Sequence, residues 1–438
     1  MYVGKKKVAP VFRHIIYKEK QPAPNGEFYL KVFDFYGNEL ISKRLNNGDV
    51  FVLPDPIEDD KLEFQEWSST EQIIDGKITI DNNNVLIGAI GTPKSGLSEF
   101  DVEVTRNTGK KVFCKMPGNK NWGDGTSDDL LEHEYAEYGE YTITCDGNSL
   151  VRALFSSVAS SGDIPVNALK RARLSERITT KYSDGYLFWY AKSLEYVTFP
   201  KTDTQIIFSG NGFENSGITS LIFPSNYTSF GDRFCSNCFR LKTVLLPYGF
   251  TRLNYPVFYN NYAMSNIVIP NTITYIDDEN MFGNCAGIKE LIVNVSSNVY
   301  LMNLYALEKL VLGENVKLLQ FSCLYGVKEI IMPKNSTFVA SQFYYCYSLQ
   351  KVKFPKNISG KLPTMFGGAQ ALQIIDFTEV ETIPILNSTS GLISSSNTNP
   401  LLKIVVPDAL YDDWIVATNW TVNAQYIYKA SEVNIWLN

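Results

Sequence analysis

The sequence predicts a mainly β, modular protein in which two small β-domains precede a repeat solenoid with a C-terminal cap. The pattern Leu-x-x-(Val/Ile/Leu)-x-(Phe/Leu/Val), usually followed by Pro, occurs eleven times between residues 169 and 406. Strand-like segments separated by Gly, Asn-Gly and Pro precede the repeats, and an aromatic-rich segment follows them. These observations divide the chain into residues 1–26, 27–92, 93–148, 149–407 and 408–438.

Residues 1–26 are interpreted as an attachment arm and linker. Residues 1–20 contain one acidic residue, Glu19, and six basic residues: Lys5, Lys6, Lys7, Arg13, Lys18 and Lys20. Because the region from residue 21 to 165 is acidic, we expect this basic arm to attach the protein to a larger assembly; a disordered tail is the alternative. The arm lacks the unbroken apolar stretch of a secretory signal. No part of the chain is apolar over the roughly 20 residues of a membrane helix, so membrane insertion is not expected.

Residues 27–92 form the first module, which reads as a succession of alternating strand-like segments. The strand-like segments read YLKVFDFYG, SKRLNNGDVFVLP, KLEFQEWSS and KITIDNNNVLIGAIG, with turn residues between them. The order of Gly37, Gly48, Pro54, Phe64 and Trp67 resembles the B-repeat of internalin-type surface proteins. That resemblance implies a small β-grasp-like spacer, and the alternative is an unclassified small β-domain.

Residues 93–148, the second module, contain NWGDGTSDDLLEHEYAEYGEYTIT after the strand-like KKVFCKM. This segment resembles the PKD domain, an immunoglobulin-like sandwich. In that family the Gly-Asp-Gly turn and the His-x-Tyr pair are structural, which implies structural roles for Asp124, His133 and Tyr135. We therefore expect Asp124 to be a turn carboxylate bonded by backbone donors rather than a catalytic or calcium-binding group.

Each repeat of the solenoid (residues 149–407) places its first, fourth and sixth positions in a common core. The fourth and sixth positions share one face of a short strand, and Pro ends the strand. A single copy cannot bury this face, so neighbouring copies must stack into a parallel sheet. The leading residues lie 19 to 29 residues apart and are Leu169, Leu194, Ile218, Leu241, Met264, Ile288, Leu307, Val327, Leu349, Leu372 and Leu401.

Two further positions recur in the segments between the strands. An aromatic residue lies about six positions before the leading residue, at Phe188, Phe258, Phe282, Phe321, Phe343 and Phe366. A cysteine often lies three positions before it, at Cys238, Cys285 and Cys346. The combined pattern Phe-x-x-Cys-x-x-Leu-x-x-Val-x-Phe-Pro resembles the BspA-like, or type 5, leucine-rich-repeat family. The resemblance covers roughly residues 165 to 435 and implies a leucine-rich-repeat solenoid.

Residues 408–438 are expected to close the open end of the solenoid. Asp408 follows Pro407 as a candidate helix N-cap, and Leu410, Trp414 and Ile415 fall on one side of a short helix. The segment resembles the terminal cap of the BspA-like family. We expect its aromatic residues to cover the core rather than to stack on a ligand.

The composition does not favour an enzyme or a cofactor site. Seven cysteines do not form a disulfide framework, and Cys235-x-x-Cys238 has no second pair to complete a zinc site. We expect the repeat cysteines, Cys323 included, to be small buried packing residues, and Cys114 and Cys145 to be reduced neighbours. With two histidines and no phosphate-binding or nucleophile motif, no catalytic, cofactor-binding or metal-binding residue is predicted.

Two surfaces are candidates for interactions. The fifth position of six consecutive repeats is apolar and should face away from the core, at Ile222, Leu245, Val268, Ile292, Val311 and Ile331. We expect this stripe to contact a second copy of the protein, so that it forms a homo-oligomer; the alternative is cover by another part of the chain. Seven tyrosines in the turns are candidate ligand contacts, with about half expected to be core residues: Tyr186, Tyr190, Tyr259, Tyr262, Tyr344, Tyr345 and Tyr347.

The favoured function is that of a non-enzymatic structural and adhesion protein of a bacteriophage virion. In this interpretation the N-terminal arm binds other virion proteins, and the solenoid binds a glycan or protein on the host surface. The opening MYVGKKKVAPVF is similar to the start of phage structural proteins with the same modules. The alternative is a bacterial cell-surface adhesin or protein-interaction scaffold. No basic stripe runs along the solenoid, so nucleic acid is not expected as a partner.

Overall fold

The structure is a computed structural model. It describes residues 27–433 apart from residues 152–153, 156–167, 180–181, 184, 204–206, 209, 254–255, 277–280, 296–298, 314–315, 317–318, 335, 337, 341, 390 and 394–398. The proposed attachment arm, residues 1–26, lies outside the described residues. Within them, no helix has the length and apolar character of a membrane-spanning segment.

The first module is a four-stranded sheet with a separate two-stranded antiparallel sheet. Its strands are Phe28–Phe33 (β1), Glu39–Leu45 (β2), Val50–Val52 (β3), Leu62–Ser69 (β4), Lys77–Thr79 (β5) and Val85–Pro93 (β6). The sheet order is β2-β1-β6-β4, with β1 and β6 parallel, and β3 pairs with β5. Trp67 donates its indole N–H to the Pro54 carbonyl (3.0 Å) and stacks edge-on against Phe64. The strands predicted for residues 27–92 are therefore present, with the second and fourth segments each split in two.

The second module continues directly into the solenoid. Its strands are Ser98–Val104 (β7), Lys111–Phe113 (β8), Lys120–Asn121 (β9), Ser127–Asp128 (β10), Glu132–Glu134 (β11) and Gly139–Cys145 (β12). Strand β7 pairs with β12 on one side and with the first solenoid strand, Leu169–Arg173 (β13), on the other, both antiparallel. A single apolar core runs from Phe100 to Ile427. The second module thus covers the N-terminal end of the solenoid.

A buried ion cluster joins β7 to β13. The Arg173 side chain is fully buried, and its guanidinium bonds Glu99 Oε2 (2.8 Å) and both oxygens of Asp101 (2.6 and 2.9 Å). Burial by itself would raise the pKa of the Asp101 carboxyl, but the hydrogen bonds and charge of Arg173, with a bond from Thr142, hold that pKa below its usual range. The guanidinium therefore neutralises two carboxylates that β7 brings to the junction.

The solenoid strands alternate between a main sheet and short strands on the returning side of each turn. In chain order after β13 they are Tyr182–Ser183 (β14), Tyr196–Thr198 (β15), Ile207–Phe208 (β16), Ser220–Ile222 (β17), Thr243–Leu245 (β18), Arg252–Leu253 (β19), Asn266–Ile267 (β20), Tyr275–Ile276 (β21), Glu290–Val293 (β22), Val299–Met302 (β23), Lys309–Leu312 (β24), Leu319–Ser322 (β25), Glu329–Ile331 (β26), Phe343–Tyr344 (β27), Lys351–Lys353 (β28), Lys361–Leu362 (β29), Ile374–Asp376 (β30), Ile385–Leu386 (β31), Lys403–Val406 (β32) and Ile427–Lys429 (β33). The main-sheet strands β13, β15, β17, β18 and β20 are parallel and in register, as are β22 with β24 and β26 with β28, β30, β32 and β33. The predicted solenoid is confirmed.

The leading positions of the repeats are buried, with one exception. Ten of the eleven leading residues are at most 2% exposed, whereas Leu401 is 63% exposed and Leu402 fills the core in its place. The preceding step, 29 residues, is the longest, and Asn399 bonds both the Leu372 carbonyl (2.9 Å) and the Leu401 amide (3.0 Å), so the chain enters the last repeat differently. The six phenylalanines six positions earlier are all buried, and neighbours such as Phe343 and Phe366 stack with ring centroids 5.0 Å apart.

The C-terminal segment caps the core as expected, although not through the expected helix cap. It contains the 3-10 helices Asp408–Leu410, Thr421–Tyr426 and Ala430–Glu432 and the α-helix Tyr411–Trp414 (α1). Trp414 and Trp420 are fully buried and pack on Phe377 with centroid distances of 5.4 and 5.8 Å. The N-cap prediction for Asp408 is wrong: its carboxylate accepts the Ser431 amide (3.0 Å) and so ties the helical segment to the end of β33.

The fifth-position stripe is covered within the chain by the first module. Ile222, Leu245 and Val268 are at most 5% exposed and form one apolar cluster with side chains of β1 and β6. Ile292 joins the core of the first module, and Val311 packs against it partly buried. Gly88 on β6 permits the close approach, since a Cβ there would lie 2.5 Å from Ile222 Cγ2. The alternative interpretation therefore holds at these positions, and the expected contact with a second copy is wrong there.

Ile331 differs from the rest of the stripe because the first module does not reach it. Its side chain is 60% exposed. Hydrogen bonds frame the covered part: Ser220 Oγ donates to the Tyr36 carbonyl (2.7 Å), and Asn83 Nδ2 donates to the Ile269 carbonyl (2.8 Å). The docked interface thus has an apolar centre and a polar border.

Substitution of Val268 by Lys should destabilise the folded chain by about 3 kcal/mol or more, because it places an unpaired charge in the docked interface. The matched control is Ile331→Lys at the same repeat position, which should change the free energy of unfolding by less than about 0.5 kcal/mol. Urea denaturation followed by tryptophan fluorescence measures both. Equal effects from the two substitutions, or dissociation of an oligomer by Val268→Lys at unchanged stability, would contradict docking within the chain.

Substitution of Arg173 by Met should cost about 3–5 kcal/mol at pH 7, because it removes the buried guanidinium that pairs with both Glu99 and Asp101. The lowered pKa of Asp101 stabilises the fold above the pKa of the unfolded chain, about 4, and this contribution disappears as the pH falls through the folded value. The difference between wild type and variant should therefore narrow below about pH 4. Arg171→Met on the same strand, with a half-exposed ion pair to Glu195, should cost less than about 1 kcal/mol. Chemical denaturation between pH 3 and 8 tests this, and equal losses from both variants would refute it.

Candidate functional site

One position of the repeat, two residues before the leading residue, contributes a row of exposed aromatic side chains to the solenoid surface. We call its members the aromatic ladder: Phe239, Tyr262, Tyr305, Tyr325 and Tyr347. Each is between 36% and 54% exposed, although large aromatic residues usually bury most of their surface. In the repeat between Tyr262 and Tyr305 the position holds Ala286, which leaves a gap in the ladder.

A left-handed residue in each turn directs this position outward. Four residues before the leading residue the backbone has positive φ, with values of 59° at Asn237, 61° at Asn260, 62° at Asn284 and 59° at Asn303. Asparagine adopts this conformation more readily than other residues with a side chain. The same turn position is taken by Cys323 (57°) in a later repeat, which explains why this cysteine is only partly buried rather than a core residue as predicted.

Hydrogen bonds connect each turn to the next. The Asn237 amide donates to the Tyr259 carbonyl (2.8 Å), and the Asn260 amide donates to the Gly283 carbonyl (2.8 Å). The side chains form a second row, in which Asn284 Nδ2 donates to Asn260 Oδ1 (2.7 Å) and Asn260 Nδ2 donates to Asn237 Oδ1 (2.8 Å). Both rows fix the spacing of the turns, and with it the spacing of the rings.

The rings of the ladder contact one another along the solenoid. Phe239 and Tyr262 stack with centroids 5.8 Å apart; Tyr325 lies 5.0 Å from Tyr305 and 5.3 Å from Tyr347. Tyr345 extends the surface, 5.7 Å from Tyr347, and Tyr344 donates a hydroxyl hydrogen bond to Tyr345 (3.1 Å). The result is a row of preoriented rings with exposed faces and hydroxyls, a chemistry suited to binding sugars or protein surfaces.

The seven tyrosines predicted from the sequence divide differently from the expectation. Tyr262, Tyr344, Tyr345 and Tyr347 are exposed, and the other three, Tyr186, Tyr190 and Tyr259, are half-buried, so none is a core residue. The sequence prediction missed Phe239, Tyr305 and Tyr325. Counting back two positions from each leading residue would have found them. That offset is the same in these repeats, whereas the clustering of tyrosines along the chain varies.

Asp124 takes the structural role expected of it. Its carboxylate accepts the Thr126 amide (3.0 Å) and hydroxyl (2.6 Å) and pairs with His133 Nε2 at 2.8 Å. Burial would raise the pKa of Asp124, but the hydrogen bonds from Thr126 and His133 lower it to about 2. His133 stacks on Trp122, and Tyr135 donates its hydroxyl to the Trp122 carbonyl (2.8 Å). These contacts fasten the turn to the second module.

Six of the seven cysteines, all except Cys323, are buried. All seven are free thiols, and burial raises the pKa of Cys114, Cys238, Cys285 and Cys346 to about 12. Cys238 Sγ donates to the Phe213 carbonyl (3.0 Å), and Cys285 Sγ donates to the Phe258 carbonyl (3.0 Å), one repeat earlier in each case. Among the residues described, no group of three or more His, Cys, Asp or Glu side chains is placed to hold a metal ion.

Comparison with known proteins identifies the repeat. The family model for the BspA type leucine rich repeat region matches residues 181–306 and 293–391 in six copies. A comparison with curated proteins gives no significant match.

Three solved structures are similar to the chain. A leucine-rich repeat protein from Bacteroides ovatus ATCC 8483 has 15% identity and a TM-score of 0.46, over 81% of this chain and 79% of that one. A leucine rich cell surface protein from Faecalibacterium prausnitzii A2-165 has 15% identity and a TM-score of 0.24, over 55% and 85%. The pneumococcal vaccine antigen PcpA has 12% identity and a TM-score of 0.33, over 87% and 98%.

Substitution of Asn260 by Ala should lower the free energy of unfolding by about 1–3 kcal/mol, because alanine resists positive φ and breaks the side-chain row. Asn260→Gly breaks the same row but tolerates the backbone, so it should cost about 1 kcal/mol less. Chemical denaturation compares the two variants. If they are equally unstable, the left-handed backbone is not what fixes the turn.

Proposed function

Because residues 181–391 carry BspA-type leucine-rich repeats, we propose that this chain is a non-enzymatic binding protein that attaches to a macromolecule on a cell surface. The observation that carries the proposal is the aromatic ladder. An array of half-exposed, mutually contacting rings costs solubility and contributes little to the core, so it is best explained by a partner that covers it. Tyrosine and phenylalanine also lose little side-chain entropy on binding.

The proposal of binding without catalysis is supported by the contacts of the histidine, cysteine and arginine side chains described above. His133 is held by Asp124 between aromatic rings, and the buried thiols have raised pKa values. The buried guanidinium of Arg173 is committed to two carboxylates. Each of these groups has a structural explanation, whereas the exposed rings of the ladder do not.

The setting we propose is that of an adhesin or interaction scaffold at the bacterial surface. The finer alternative is a bacteriophage virion protein, attached through residues 1–26 to other virion proteins and presenting the same ladder to a host. Mass spectrometry of purified phage particles tests that alternative directly, together with the genes on either side. Tail, portal and capsid genes as neighbours would support the virion setting, whereas absence from particles would contradict it.

The binding experiment should use the full chain. A fragment of residues 150–438 would remove β7 from the antiparallel partner β13 and expose the end of the shared core. The purified protein, coupled to fluorescent beads, is applied to a glycan array and to intact or protease-treated cells. Loss of binding after protease treatment indicates a protein ligand, and binding on the array indicates a glycan.

The double substitution Tyr325→Ala with Tyr347→Ala should weaken binding at least tenfold, since central aromatic contacts each contribute about 1–2 kcal/mol or more. The control is Tyr138→Ala, which removes a tyrosine of the second module that is more exposed than either ladder residue and should bind as the wild type does. Denaturation confirms that both variants are folded. An absence of binding on arrays and cells, or equal losses in the variant and its control, would refute the proposal.

A further inference from the structure

The first module closes on the solenoid at a junction that contains a buried carboxyl group, that of Glu71. This residue lies in the loop after β4 and is 6% exposed. Two residues earlier, the Ser69 carbonyl accepts a hydrogen bond from the Tyr248 amide of the solenoid (2.6 Å). In the loop before β6, Asn83 Nδ2 donates to the Ile269 carbonyl of the segment after β20 (2.8 Å). Glu71 therefore lies where loops of the first module are bonded to the solenoid.

Glu71 is contacted by a neutral amide and faces a second carboxylate. The solenoid residue Asn271 donates its side-chain amide to Glu71 Oε1 over a long distance (3.5 Å) and to the Asp81 carbonyl (3.1 Å). The same side chain accepts a hydrogen bond from Asn83 Nδ2 (3.3 Å). Within the described part of the chain, neither Glu71 nor Asp81 forms an ion pair with a lysine, arginine or histidine.

The hydrogen bonds from the other elements around this loop involve neutral groups. Thr70 bonds the backbone of Leu86 on β6 (3.0 and 3.1 Å), and Tyr248 contacts the loop through its backbone amide. Asp81 is the charged group that acts on Glu71, and it repels the carboxylate form. A carboxylate that is buried without a counter-ion is unstable, so burial and the charge of Asp81 raise the pKa of Glu71 to about 7.

We propose that Glu71 is a pH-sensitive switch for the docking of the first module: protonated Glu71 keeps the module closed on the solenoid, and loss of that proton weakens the contact. Ionisation places a second negative charge beside Asp81, with one long hydrogen bond from Asn271 to stabilise it. The new charge gains hydration when the loop separates from the solenoid, so it favours an open arrangement. Opening would uncover the fifth-position stripe, including Leu245 and Val268. The switch is independent of the proposed binding function and uses none of the ladder residues.

The direction of the pH effect follows from the raised pKa of Glu71. In an opened or unfolded loop the carboxyl titrates near its ordinary pKa of 4.5, whereas in the closed form the pKa is about 7. The stabilisation by the proton is therefore complete below about pH 4.5 and is lost as the pH rises through 7. This difference in pKa corresponds to a closing equilibrium that is weaker on the order of 10²-fold at pH 8. The pKa values of Asp101 and Asp124 are lowered instead, so these two groups titrate at more acidic pH.

Thermal unfolding and hydrogen exchange of the full chain between pH 5 and 8 test the switch, with Glu71→Gln as the main variant. Glutamine has the shape of the protonated carboxyl group but cannot ionise. We expect similar melting temperatures for the two proteins at pH 5 and a wild type that melts several degrees below the variant at pH 8. The Tyr248 amide, which donates to the Ser69 carbonyl across the junction, reports on opening. After correction for the intrinsic effect of pH on exchange, it should exchange at least tenfold faster in the wild type than in the variant at pH 8.

Two further variants separate the switch from a general effect of charge. Glu63→Gln removes an exposed carboxylate from β4 of the same module and should leave the pH profile of the wild type unchanged. Asp81→Asn removes the charge that repels Glu71, so the loss of stability should be smaller and complete at lower pH. Parallel pH profiles of the wild type and Glu71→Gln, or equal profiles of Glu63→Gln and Glu71→Gln, would overturn the proposal. Calcium chloride that stabilises the wild type at pH 8 as much as acid does would also overturn it, because the two carboxylates would then hold a cation.

Discussion

The left-handed residue in each turn is the constraint on which the solenoid depends. It reverses the chain within a few residues, and its amide bonds the carbonyl of the following turn, as from Asn237 to Tyr259 and from Asn260 to Gly283. The buried phenylalanine before it and the buried leading residue after it can then both face the core. The residue two positions before the leading residue lies between these two buried side chains and must therefore point outward. The aromatic ladder is thus a consequence of turn geometry as much as of the identity of its rings.

A stack of parallel strands leaves two ends and one face to be covered, and this chain covers each with a different segment. The second module adds the antiparallel strand β7 at the first end, where Arg173 neutralises the carboxylates that β7 introduces. The C-terminal segment adds β33 and two buried tryptophans at the other end. The first module lies on the face. Unpaired strand edges promote association between chains. Each of these segments therefore covers a part of the solenoid that would otherwise be exposed.

The repeat could be predicted from the sequence because each copy is an independent observation of the same buried positions. Leading residues, stacked phenylalanines and the aromatic cap were all predictable from spacing. The cover of the fifth-position stripe was not predictable from spacing. An apolar stripe indicates that another surface packs on it but does not indicate which surface. The first module gave no such signal, since its outward residues Tyr29, Phe33, Leu86 and Ile90 look like the second side of an ordinary two-sided strand. Leu401 was wrongly assigned to the core because the assignment used the spacing of the repeat alone. Spacing does not show that the Asn399 side chain bonds the Leu372 carbonyl and changes how the chain enters the last strand.

Docking of the first module also determines where a ligand can bind. Because it occupies the strand face from Ile222 to Ile292, that face is not available to a partner over most of its length. The turns, which carry the ladder, remain exposed on the solenoid beside the docked module. At the seam the apolar centre is bordered by polar groups, and Glu290 pairs with Arg44 of the first module and with Lys309 of the solenoid. These ion pairs and the hydrogen bonds from Ser220 and Asn83 hold the first module on the strand face of the solenoid.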